Sequence, residues 1–164
     1  MANTPPPTSK PDLLLARLLG EESGKLVEFV SLLKREQDFL SRGDVESLLP
    51  LVDNKTTLTN ELASFAQARE RLLADLGLTA GRIGMESWLA RLDQASQRQA
   101  WQRLLDLAGE ARSLNETNGK LITLNLQHNQ QAFATLMTAA NRAMNYGPDG
   151  QQQTDLGGRI LGKA

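Results

Sequence analysis

The sequence predicts an all-α protein: an elongated antiparallel helical hairpin packed with a long C-terminal helix, coiled-coil-like in its spacing. Three observations carry this. Leu and Ala far outnumber Val and Ile, and the aromatic set among 164 residues is four Phe, two Trp and one Tyr, a balance that favours helices over strands. Apolar residues recur at alternating steps of three and four over most of the chain. Breaks at SRGD, at the glycine-bearing segment 77–84 and after Tyr146 cut the pattern into pieces of helical length.

Residues 1–10, with the prolines Pro5, Pro6 and Pro7, are read as a flexible lead because consecutive prolines cannot start a helix. A single all-helical domain is expected over 11–146, its hairpin over 11–76. The first helix starts at Pro11, a favourable first-turn residue. It sets Leu15, Leu19, Leu26, Phe29, Leu33 and Leu40 on one stripe, with Glu22 and Glu36 at the two missing steps. Gly43 suits its end and Asp44 the cap of the next helix. That helix, reaching about Leu76, carries Leu48, Val52, Leu58, Leu62, Phe65, Leu72 and Leu76, interrupted by Lys55 and Arg69. So short a connection makes the two helices antiparallel neighbours.

The connector, 77–95, holds Gly77, Gly81 and Gly84 and then a short helical piece from Met85 to about Leu92, anchored by Trp88 and Leu89. The long helix is expected over 96–146. Its seam reads Trp101, Leu104, Ala108, Ala111, Asn115, Asn118, Ile122, Asn125, Asn129, Ala132, Leu136, Ala139, Ala143 and Tyr146, without a slip. Some fifty residues measure roughly 75 Å, against roughly 45 to 50 Å for the hairpin. Part of this helix must therefore bend, break or project. Residues 147–164, rich in Gly and Gln, are read as a flexible tail.

Composition narrows the function. With 18 basic and 19 acidic residues the net charge is −1, which gives no pull toward phosphate backbones, so no nucleic-acid partner is expected. No cysteine is present, which removes disulfides and thiol catalysis. No apolar run approaches the roughly 20 residues of a membrane span, and the N-terminal stretch lacks the apolar centre of a secretory signal. A cytoplasmic protein with no membrane insertion is expected. The single histidine, His128, has Leu124, Asn125, Gln131 and Ala132 at helical spacing, none a carboxylate, so neither a metal nor a general base is expected there. Glu21 is explained by Lys25 four residues on. GLTAGRIG follows a helix and lacks the ending of a phosphate loop. No enzyme and no cofactor are expected.

What remains is surface. Asn115, Asn118, Asn125 and Asn129 fall on the seam, where polar groups lower stability but restrict register and partner number. Leu114 and Leu121 flank it, and Leu126, Phe133 and Met137 spread over other sides with Leu124 among them. A helix apolar on several sides must be covered on several sides. Self-association and partner binding are the two outlets; a homodimer through the long helix, acting as a structural coiled-coil adaptor, is the alternative to a binder of other chains.

The run NETNGKLITLNLQHNQQAFATLM, followed by NYGPDGQ, resembles the C-terminal half of the FlgN flagellar export chaperones. The matching positions are Asn118 and Gly119, Leu121 and Ile122, Asn129 to Ala132, and Tyr146 to Gln151. The resemblance implies a cytoplasmic chaperone of flagellar type III export that binds the hook-filament junction proteins FlgK and FlgL, keeps them unassembled and delivers them to the export gate protein FlhA. It assigns client contact to the region Leu114 to Met137, with Asn118, Leu121, Ile122, Leu124, Asn125, Leu126, Asn129, Phe133 and Leu136 between. Gate contact falls to Tyr146 and Gly147. The N-terminal half departs most from the family pattern and receives no role from the resemblance.

Overall fold

The structure, a computed structural model, describes residues 9–145, with side chains to residue 141. Four helices make up the described residues: α1 Lys10–Arg42, α2 Val45–Asp75, α3 Gly81–Leu92 and α4 Ala95–Asn145. The lead up to residue 8, Tyr146, Gly147 and the tail lie outside the described residues.

α1 begins with a capping box. The Asp12 amide donates to Ser9 Oγ at 3.4 Å while the Ser9 amide donates to Asp12 Oδ2 at 2.8 Å, so each end of the first turn satisfies the other. Gly43 ends the helix at φ 67°, a left-handed conformation that costs glycine little. Asp44 then caps α2, its carboxylate accepting from the Ser47 amide at 3.1 Å. Two residues thus suffice for the reversal.

The two interruptions in each hairpin stripe meet one another. Glu36 accepts from Lys55 Nζ on both carboxylate oxygens at 2.9 Å, and Glu22 accepts from Arg69 on both of its own. Pairs of this order, the later residue of α1 with the earlier of α2, fix an antiparallel hairpin. Glu22 and Glu36 are buried, where removing one member of a pair costs about 3–5 kcal/mol; they set register rather than expose charge. Arg69 also lies over the Trp101 ring, 5.6 Å from its centroid, within cation–π range.

Two apolar clusters fill the bundle. Leu15, Leu19, Leu26, Leu73, Met85, Trp88, Leu89, Leu92, Trp101 and Leu104 form the larger one, with Leu62, Leu72 and Leu76 packed against it. Val30, Leu33 and Ala111 form the smaller, joined by Phe29, Leu107 and Leu114. In this order α4 rises alongside α1 in the same direction. On α2 the stripe turns slightly from expectation, since Val52 is exposed and Leu51 is buried. Leucine fills the inward position and the smaller valine is left outside.

α3 starts at Gly81, four residues earlier than the apolar pattern indicates. The Gly81 amide donates to the Glu70 carboxylate at 2.9 Å, a cap supplied from another helix, which spacing within the connector does not encode. Asp12 joins α1 to α3: its Oδ1 accepts from Trp88 Nε1 at 3.0 Å and from Arg91 Nη2 at 2.6 Å. Glu21 pairs with Arg17 at 2.8 Å rather than with Lys25, which instead bridges Glu28 and Glu61. A cross-helix carboxylate has drawn Lys25 away.

The described residues divide between Ile122 and Thr123 into two compact units.

Candidate partner-binding face of the long helix

α4 runs through Asn118 and Gly119 as one helix. In the first unit its buried positions are Trp101, Leu104, Ala111 and Asn118, with Leu107, Leu114 and Leu121 half-buried between them. Ala108, Asn115 and Ile122, which the sequence places on the seam, are exposed. Three of the seven seam positions expected in the first unit are therefore one residue out of register. Both rows satisfy three-and-four spacing, and the leucines at 107, 114 and 121 take the inward place because they bury more apolar surface than Ala108 or Asn115.

The asparagines separate accordingly. Asn118 is 1% exposed; its Nδ2 donates to the Leu33 carbonyl at 2.9 Å and to Glu36 Oε2 at 2.7 Å. Both acceptors require the NH2 group on that side, so the amide orientation follows from chemistry. Its Oδ1 is buried without a hydrogen-bond partner. Asn118, Glu36 and Lys55 thus form a three-helix polar node, and Asn118 and Leu114 are engaged within the bundle. Asn125 is half-buried, while Asn115 and Asn129 are exposed; these two are not buried seam residues. The node is what sequence reasoning missed. Its signal was there, in a carboxylate and an amine each interrupting an apolar stripe.

In the second unit every residue from 126 to 141 is exposed. Leu124, Leu126, Phe133, Leu136 and Met137 are all solvent-facing, Phe133 at 66% and Leu136 at 68%, and Ile122 in the first unit is 50% exposed. They are not scattered evenly. Leu126, Asn129, Phe133, Met137 and Ala140 follow at steps of three, four, four and three, which lays them on one helix face with Leu136 beside them. Leu124 alone falls on the far side. The 21 residues from Leu121 to Asn141 hold no Asp, Glu, Lys or Arg, although 23% of the whole chain is charged.

Among the described residues no cluster of His, Cys, Asp and Glu is placed to hold a metal ion, and no helix is long and apolar enough to cross a membrane. His128 is exposed. The exposed part of α4 can pack a helix against a helix.

A helical bundle with an exposed apolar stripe on a long helix defines a class of helical interaction protein. The sequence matches the family described as FlgN protein over residues 14–154, and the chain belongs to that family. It is 28% identical to the flagella synthesis protein FlgN of Yersinia enterocolitica over 147 residues, 88% of this chain and 91% of the relative. It is 28% identical to that of Proteus mirabilis over 150 residues, 90% of this chain and 96% of the relative. The crystal structure of a flagella synthesis protein FlgN from Pseudomonas aeruginosa superposes with a TM-score of 0.61 at 25% identity, covering 70% of this chain and 88% of that one.

Proposed function

We propose that this protein is a cytoplasmic chaperone of flagellar type III export. It binds the hook-filament junction proteins FlgK and FlgL by helix-to-helix packing, prevents their premature assembly and delivers them to the gate protein FlhA. The observation that carries this reading is the exposed apolar stripe of α4 in a chain of the FlgN family. Leu126, Phe133, Leu136 and Met137 are the anchors, Ile122 and Leu124 add to them, and Asn125 and Asn129 supply amides between. Leu121 sits at the margin of the bundle, with Asn118 and Leu114 holding α4 in place behind it.

The energetics suit a client that must later be released. Burying an apolar side chain of this size contributes about 2 kcal/mol, so four anchors supply roughly 8 kcal/mol. The freedom lost on association offsets a large part of this, and the contacts of Ile122, Leu124 and the amides add to what remains. Binding of this strength reverses without nucleotide hydrolysis, through competition at the gate. Tyr146 and Gly147, outside the described residues, are assigned to gate contact by the family pattern.

Co-expression with FlgK or FlgL tests the reading. A complex that survives gel filtration is expected, and free chaperone alone would overturn it. The same exposed stripe also supports a second reading, a coiled-coil adaptor that dimerises through α4. A tight homodimer indifferent to client, burying Leu126, Phe133 and Met137, favours that reading over the first.

A further inference from the structure

An exposed helix surface usually carries charge, because charged groups keep it solvated and monomeric. The segment from Leu121 to Asn141 has none, yet 126–141 are exposed on every side. Its polarity comes from amides, hydroxyls and one imidazole: Asn125, Gln127, Asn129, Gln130, Gln131 and Asn141, with Thr123, Thr135, Thr138 and His128. Of the threonines, Thr135 and Thr138 donate back to the helix, to the carbonyls of Gln131 and Ala134 at 2.9 Å, so they present methyl groups and oxygens that can only accept.

Such a surface selects its partner by what it cannot satisfy. A Lys, Arg, Asp or Glu laid against the Leu126 to Ala140 stripe would lose its water and meet no opposite charge, at a cost of several kcal/mol. An amide loses far less, since Asn129 can return a hydrogen bond, as Asn118 does to the Leu33 carbonyl inside the bundle. Six amide side chains also make the segment a poor bilayer ligand. A second copy of the same segment meets the charge criterion, but the stripe from Leu126 to Ala140 is only two heptads long, short of the three or four that sustain a lone two-stranded coil.

Resting on the chaperone reading above, we propose that the client helix held by α4 presents a charge-free face, amide and hydroxyl side chains interleaved with Leu- or Val-sized apolar ones. Recognition then depends on shape and neutral hydrogen bonds and not on electrostatic steering. The same chemistry keeps the complex insensitive to ionic strength.

Calorimetric titration of the full chain with FlgK and with FlgL, at about 50 mM and about 500 mM NaCl, tests this. A Kd that changes less than about twofold is expected. Asn129→Lys should weaken binding by at least about tenfold at both salt concentrations, whereas Gln131→Lys, across the helix, should stay within about twofold. Binding that weakens tenfold or more with salt, or that Asn129→Lys strengthens, overturns the charge-free partner and leaves the chaperone reading standing. No binding of either protein under any condition overturns both.

Discussion

Asp12 shows how one side chain can tie a helix start to another helix. Burial by itself raises its pKa, but the side-chain and backbone hydrogen bonds of Ser9, the Trp88 indole and the Arg91 guanidinium more than offset this and bring it from 3.8 to about 2. The folded chain therefore binds fewer protons than the unfolded chain between these values. The resulting stability is complete above about pH 4 and is lost as pH falls toward 2. At 1.36 kcal/mol per unit this is about 2 kcal/mol. Acid unfolding followed by the fluorescence of Trp88 and Trp101 should show that loss in the wild type, and Asp12→Asn should flatten that limb; an unchanged acid profile in the variant would contradict the assignment. At this scale the sequence was half legible. Glu22 and Glu36 announce themselves as interruptions of the α1 stripe, and Lys55 and Arg69 as interruptions on α2. Their pairing needs the hairpin's register, which only the packed structure supplies.

Elements were legible where period and cap agree. α1, α2 and the reversal at Gly43 and Asp44 follow from stripe, capping residues and glycine. α3 is different, because its start depends on contacts from outside the connector. A Cβ at Gly84 would lie 1.7 Å from the Thr79 carbonyl oxygen, so the chain folds back onto the helix at a point only glycine allows. Gly84→Ala should cost about 2–3 kcal/mol in denaturant unfolding. Gly24→Ala, within α1 and with nothing inside 4 Å of the added carbon, should gain about 0.5–1 kcal/mol. Equal stability of the two variants would refute that close approach. α4 was legible as a helix and misread in phase. Two interleaved rows share its spacing, and the choice between Ala108, Asn115 and Ile122 on one side and Leu107, Leu114 and Leu121 on the other depends on what α1 offers opposite.

At the scale of the whole molecule, the first unit buries two apolar clusters and matches its buried charges, while Leu13, Val45, Leu49, Val52 and Ile83 stay exposed on it. The second unit keeps its apolar surface outward and carries no charge through residue 141. A helix of that kind, in a chain of the FlgN family, is suited to receive another helix. The seam read from the sequence runs through Asn125, Asn129 and Ala132, so it sets Leu126, Phe133 and Met137 to other sides; their own steps of seven and four place these three on one face, with Leu124 opposite. The most direct test is the affinity of the full chain for FlgK after Phe133→Asp, measured by titration calorimetry beside circular dichroism. The account predicts that affinity falls at least about hundredfold, as for a central interface anchor, while helicity is unchanged. Wild-type affinity in a folded Phe133→Asp chain would contradict it.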